Sequence, residues 1–209
     1  MIQEIEKARL IPVIAIPRAE DIVPLGEALR AGGLRVAEIT FRTEAGRRAI
    51  EIAAKELPDF LLGAGTVTTI EELEAAKAAG ASFAVAPGTN PRIIRRAEEI
   101  GLPFFPGVCT PSDIEAAMEC GAHLLKFFPA EAMGGLETVR ALHAPYKHRG
   151  IRFVPTGGIT RDNMASYLSD PAVAAVGGSW FVAAGLLENR QWDHVAELTA
   201  AAVASIPSV

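Results

Sequence analysis

Ile11-Pro12-Val13-Ile14-Ala15-Ile16, followed by Pro17-Arg18-Ala19-Glu20, is the stretch that separates the two leading fold classes. Its first six residues are apolar and rich in β-branched side chains, the pattern of a parallel strand buried on both faces. A nucleotide-binding doubly wound sheet would follow such a first strand with a glycine-rich loop. Pro17 to Glu20 is no such loop. Seven further apolar runs follow, at 36–41 (VAEITF), 60–65 (FLLGAG), 83–86 (FAVA), 104–108 (FFPGV), 123–128 (HLLKFF), 151–156 (IRFVPT) and 173–177 (VAAVG). Each interval leaves room for one helix and two loops. Eight near-equal strand-helix units predict a closed (β/α)8 barrel, preceded by one extra N-terminal helix, and 209 residues place it at the small end of that fold's range. We read 1–209 as one domain, since no Pro/Ser-rich linker or low-complexity segment divides it.

The intervening segments carry helix punctuation. Gly33, Gly80, Gly101 and Gly121 each stand just before a strand, where a left-handed C-terminal cap is expected. Asn90-Pro91 and Thr110-Pro111 pair an N-cap residue with a first-turn proline, and Thr68 to Glu71 fits a capping box. Ile and Leu recur at helical spacing through 70–79. Trp192, Val195, Leu198, Ala202 and Ile206 form one stripe near the C-terminus, read as core.

Composition narrows the function classes. With 50% hydrophobic and 22% charged residues, the chain has material for a core and no bias toward disorder. A net charge of −5 argues against nucleic acid or a polybasic membrane anchor as partner. Two cysteines, Cys109 and Cys120, make no disulfide framework, so a reducing cytoplasm is expected. Met1 to Arg9 reads as a short amphipathic helix rather than an export signal, and no apolar run approaches the ~18 residues of a membrane span.

In a barrel of this kind the chemistry lies at the C-terminal ends of the strands. Lys126 stands out there, because it interrupts Leu124-Leu125-Lys126-Phe127-Phe128 in what must be a buried strand. Burial disfavours the ammonium, and the free amine is the nucleophile that a Schiff base requires. Leu124, Lys126 and Phe128 share one face. The bland alternative is a lysine that is ion-paired or snorkels from the other face. Glu38 interrupts Val36-Ala37-Glu38-Ile39-Thr40-Phe41 in the same way and shares parity with Val36, Thr40 and Arg42. It could relay protons to the lysine, or form a purely structural salt bridge with Lys126 or Arg42. Arg42, at the strand end, suits capture of a carboxylate.

Thr156-Gly157-Gly158 and Gly177-Gly178-Ser179 follow the seventh and eighth strands, where barrels often bind phosphate through backbone N–H groups. Gly63-Ala64-Gly65-Thr66 and Ala86-Pro87-Gly88 would complete the rim, or serve only as tight turns. The histidines show no metal-ligand spacing, and no flavin or nicotinamide motif is visible, so no cofactor is expected. Cys109 falls near the mouth but has no adjacent base, and is read as a bystander.

Six motifs taken together resemble one family: Glu-Ile-Thr-Phe-Arg-Thr (38–43), Gly-Ala-Gly-Thr-Val (63–67), Ala-Pro-Gly (86–88), Leu-Lys-Phe-Phe-Pro-Ala-Glu (125–131), Pro-Thr-Gly-Gly-Ile (155–159) and Gly-Gly-Ser-Trp (177–180). Their order and near-full-length coverage are similar to the 2-keto-3-deoxy-6-phosphogluconate (KDPG) aldolases, some of which also act on 4-hydroxy-2-oxoglutarate (KHG). The resemblance implies a metal-free class I aldolase on a (β/α)8 barrel, assembled as a homotrimer. It makes Lys126 the Schiff-base lysine and Glu38 the general acid/base. Arg42, Thr66 and Pro87 would hold the pyruvyl carboxylate, with Phe128 against the pyruvyl carbons. Thr156, Gly157, Gly158, Gly178 and Ser179 would hold the rest of the substrate and its phosphate. Phe41 replaces a common leucine and Cys109 a common serine or methionine, both changes of pocket shape. Thr156 looks like the gluconate rather than the galactonate branch.

The expected reaction is cleavage of the phosphorylated six-carbon acid to pyruvate and glyceraldehyde 3-phosphate. The nearest alternatives are an aldolase mainly for 4-hydroxy-2-oxoglutarate or for the galactonate epimer. A phosphosugar isomerase or epimerase would use Lys126 only as an electrostatic clamp. A non-catalytic phosphometabolite-binding barrel would have no need of a buried lysine beside Phe127 and Phe128.

Overall fold

In the computed structural model, which describes residues 1–207, helix α1 (Ile2–Ala8) leads into β1 (Leu10–Ile14). Strands and helices then alternate: α2 (Ile22–Ala31), β2 (Val36–Thr40), α3 (Ala45–Glu56), β3 (Leu61–Gly65), α4 (Ile70–Ala79), β4 (Phe83–Val85) and α5 (Pro91–Glu99). The second half follows with β5 (Phe104–Phe105), β6 (Gly107–Val108), α6 (Pro111–Glu119), β7 (Leu124–Phe127), α7 (Gly135–Tyr146), β8 (Arg152–Pro155), α8 (Arg161–Leu168), β9 (Val176–Gly178), α9 (Ala184–Glu188) and α10 (Trp192–Ala204). All strand pairs are parallel, in the orders β5-β4-β3-β2-β1-β9 and β6-β7-β8.

The nine segments make eight barrel staves. β5 and β6 are one stave parted at Pro106, which has no N–H for the ladder, although its carbonyl still accepts from the Lys126 amide at 2.9 Å. Bridges from Phe153 to Val173 and from Thr156 to Gly177 carry the sheet from β8 toward β9, and β9 pairs with β1. The sheet thus closes, as the eight-unit pattern predicts.

Period-2 alternation sorts the side chains into two layers. Ile11, Val36, Phe83, Val85, Phe105, Leu124 and Val154 form an apolar cluster with Ile5 of α1, which abuts its N-terminal end. They share parity with Glu38 and Lys126. The opposite parity (Leu10, Ile39, Leu62, Phe127, Phe153) packs outward on the helices through Leu25, Ile50, Leu73, Ile93, Val139 and Val195.

Three details depart from the sequence reading. The 104–108 run is split at Pro106. In the 173–177 run only Val173 bridges β8, and the ladder to β1 begins at Val176. The capping box is shifted by one residue: the Thr69 hydroxyl accepts from the Glu72 amide at 3.1 Å, and the Glu72 carboxylate accepts from the Thr69 amide at 3.1 Å. Two adjacent threonines and two adjacent glutamates permit either register, and the one that buries Leu73 and Ala76 is taken. The other caps stand as read. Asn90 and Thr110 cap α5 and α6, and Gly33, Gly80, Gly101 and Gly121 have φ of 95°, 95°, 63° and 79°. Among the described residues, no helix is long and apolar enough to cross a membrane.

Candidate active site

Lys126 and Glu38 stand on opposite sides of the barrel and meet inside it. β7 places Lys126 between Gly107 of β6 and Val154 of β8, while β2 places Glu38 between Val13 of β1 and Gly63 of β3. Lys126 is 6% exposed and Glu38 3%. The Lys126 Nζ donates to Glu38 Oε1 at 3.0 Å. Small residues make the room. A Cβ at Gly65 would come within 2.4 Å of Glu38 Oε1, so the glycine of β3 is what lets the carboxylate lie toward the lysine. The Phe128 ring, half-buried at the end of β7, has its centroid 5.6 Å from the Lys126 Nζ. One wall of the lysine's surroundings is therefore aromatic.

The rim loops surround this pair. Thr66 directly follows β3 with φ of +62°. A β-branched residue in the left-handed region is an outlier that costs on the order of 1–3 kcal/mol and clusters at functional sites. Pro87 is exposed, and a Cβ on Gly107 would lie 2.2 Å from the Pro87 carbonyl carbon, so the Pro87 turn rests on the strand that pairs with Lys126. Arg42 is exposed in the turn after β2. Its Nε donates to Thr40 Oγ1 at 3.3 Å, and the Thr40 hydroxyl donates to the Ile14 carbonyl at 3.0 Å. The alternative pairing of Arg42 with Glu38 does not occur.

Thr156 is buried just beyond β8 and is bridged to Gly177. Gly157 and Gly158 have φ of 98° and 82°, conformations that glycine adopts freely. A Cβ on Gly157 would stand 3.4 Å from the Phe128 ring, which puts this loop beside the Lys126 strand. Gly178 ends β9, and exposed Ser179 follows it. A short 3-10 turn, Trp180–Val182, comes next rather than a long helix.

The structure thus gathers the expected residues at one end of the barrel. A surface concavity of about 490 Å3, lined by Arg9 and Arg152, lies instead at the N-terminal end. Cys109, beside β6, donates its thiol to Asp113 Oδ2 at 3.7 Å. Burial, and then the Asp113 carboxylate beside it, push its thiol up. Among the described residues, no three His, Cys, Asp or Glu side chains are grouped as metal ligands would be. Two contacts at the site escaped the sequence reading. Thr40 carries Arg42, and its parity with Glu38 was the available signal. Glu131, inside the Lys-Phe-Phe-Pro-Ala-Glu segment, is hydrogen-bonded by the buried Tyr167 hydroxyl.

The family model for KDPG and KHG aldolase matches residues 1–198. The chain belongs to that aldolase family. It is 44% identical over 198 residues, 95% of its own length and 92% of the other's, to a 2-dehydro-3-deoxy-phosphogluconate aldolase of Haemophilus influenzae. The KDPG aldolase of Legionella pneumophila, solved with pyruvate captured as a covalent carbinolamine intermediate, superimposes with a TM-score of 0.92 at 38% identity, covering 97% of this chain and 98% of that one. The enzyme of Zymomonas mobilis ZM4, solved with 3-phosphoglycerate, gives 0.90 at 35% identity, covering 99% and 98%.

Proposed function

We propose that this aldolase cleaves 2-keto-3-deoxy-6-phosphogluconate to pyruvate and glyceraldehyde 3-phosphate by a class I mechanism centred on Lys126. The observation that carries the reading is the buried lysine on an inward strand face, 3.0 Å from an equally buried carboxylate. The carbinolamine captured in the Legionella relative supports covalent chemistry of this type.

Lys126 passes a proton to Glu38, its free amine attacks the C2 ketone, and transfer of a proton from the new N–H to the oxygen gives a carbinolamine. Glu38, through its carboxyl group, delivers the proton that lets hydroxide leave as water, forming the iminium. When the C4 hydroxyl loses its proton, the C3–C4 electron pair moves into the iminium, and glyceraldehyde 3-phosphate departs. The resulting enamine is protonated at C3 and hydrolysed, which returns the amine and releases pyruvate. The iminium nitrogen serves as electron sink, the role that a Lewis acid fills in metal-dependent aldolases. Arg42 and Thr66 hold the pyruvyl carboxylate beside the Pro87 turn, and Phe128 packs on the pyruvyl carbons. Thr156, Gly157, Gly158, Gly178 and Ser179 hold the distal part of the substrate and its phosphate, mainly through backbone N–H groups.

A homotrimer in the cytoplasm is the proposed setting, supported by the family resemblance and by two cysteines that the structure leaves unpaired. One coupled assay for pyruvate release tests the substrate. The phosphorylated gluconate-derived acid should be cleaved with a higher kcat/KM than its galactonate epimer or 4-hydroxy-2-oxoglutarate. A reversed order would move the assignment to one of those acids.

A further inference from the structure

The segment that leaves the Schiff-base strand is fastened to the Gly157-Gly158 loop at several points. The Ala130 amide donates to the Thr156 carbonyl at 2.8 Å, and the Glu131 amide donates to the Gly157 carbonyl at 3.0 Å. Gly158 lies so close that an added Cβ would come within 2.5 Å of Glu131 Cβ. These contacts fix the backbone of Glu131 against the loop but leave its side chain free to choose a direction. The Tyr167 hydroxyl chooses it by donating to Glu131 Oε1. Tyr167 belongs to α8, the helix that begins immediately after the loop, and is 2% exposed. Burial, and then the neighbouring Glu131 carboxylate, push its hydroxyl far above the usual tyrosine range. It therefore remains a protonated donor throughout the working pH range. Gly135 leaves space for the pair, since a Cβ there would stand 3.2 Å from the Tyr167 oxygen and 3.3 Å from Glu131 Oε1.

We propose that Glu131 and Tyr167 are positioning residues for the distal, phosphate-bearing end of the substrate. They form a strut that ties the exit of the Lys126 strand to α8 and so sets the Gly157-Gly158 loop between them. Neither side chain touches the reacting carbons. The strut acts on specificity, by holding backbone N–H groups where an anion is received, and rests on the phosphate reading of that loop given above. Its loss lets the loop relax while Lys126, Glu38 and Phe128 keep their places.

Tyr167→Phe retains the buried ring and removes only the hydroxyl. We expect KM for the phosphorylated six-carbon acid to rise by about tenfold, the scale of one lost hydrogen bond to a charged group. The kcat should hold, and kcat/KM for unphosphorylated 4-hydroxy-2-oxoglutarate should be unchanged. Glu131→Ala should reproduce this pattern, and Glu131→Gln, which keeps an acceptor for the tyrosine, should restore the wild-type KM. This pair answers the question should Tyr167→Phe fail to fold. Equal losses on the two substrates, or unaltered KM in both Tyr167→Phe and Glu131→Ala, would overturn the proposal. Wild-type enzyme that treats the two acids alike would overturn the phosphate reading itself, and the strut with it. That outcome is read before any variant is made.

Discussion

Glu38→Gln removes the proton-carrying group while keeping the side chain's length and its Oε1 acceptor for the lysine. In the structure that acceptor lies 3.0 Å from the Lys126 Nζ, with the two residues 3% and 6% exposed. Bulk water therefore has poor access to replace the carboxyl as a proton carrier. General acid–base catalysis contributes about 10²–10⁴ in rate, or about 2.7–5.5 kcal/mol of activation free energy, and kcat should fall by that amount. KM should stay within about threefold, because the carboxylate-binding and distal loops are untouched. A purely structural pair would announce itself differently. Removing one partner of a buried ion pair costs about 3–5 kcal/mol of stability, and activity would then follow only the folded fraction. Steady-state pyruvate release and a urea melt on the same preparation separate the two cases. Gly65→Ala gives a second reading, since its Cβ would press within 2.4 Å of Glu38 Oε1 and displace the carboxylate without deleting it. An intermediate loss of kcat is expected there. A Glu38→Gln enzyme with kcat within threefold of wild type refutes the catalytic role.

Three further outcomes follow from the site and the assembly. Ser179→Asp places a carboxylate at an exposed rim position and should raise KM for the phosphorylated acid at least about tenfold, about 1.4 kcal/mol. The kcat/KM for 4-hydroxy-2-oxoglutarate should change much less; equal losses would sink the phosphate-site assignment. Cys109 should alkylate more slowly at pH 8 than a free thiol, because burial and then Asp113 hold its thiol up and leave less thiolate. Asp113→Asn should speed the reaction partway, and a fast wild-type reaction would contradict that environment. Sedimentation at micromolar concentration should show a particle three times the 22.1 kDa chain mass, and a species at the chain mass would exclude the trimer.

The barrel was legible because each stave is marked by its own apolar run, and several by cap residues on the helix that follows. Asn90-Pro91 and Thr110-Pro111 each sit where the chain reverses. Lys126 and Glu38 were legible for a simpler reason: a charge within a strand buried on both faces is expensive and calls for a partner. Which partner Glu38 takes was left open between Lys126 and Arg42, since pairing of residues 88 positions apart is decided by closure and register rather than by local pattern. Local pattern was also silent on Pro106, whose missing N–H splits a stave only because the neighbouring ladder would have used it. Thr66 was placed on the rim by its position after the third strand, but its left-handed backbone is visible only in the fold. Tyr167 reads as core in any helical pattern, because a hydroxyl's partner on another element leaves no trace in its own helix.

The central claim is that Lys126 forms an imine with the keto acid. Sodium borohydride added together with pyruvate should inactivate the enzyme by reducing that imine to a stable secondary amine. Peptide mapping should then find one added carboxyethyl group, on the peptide containing Lys126, and borohydride without pyruvate should leave the activity intact. Labelling on another lysine, or full activity after trapping, would contradict the account.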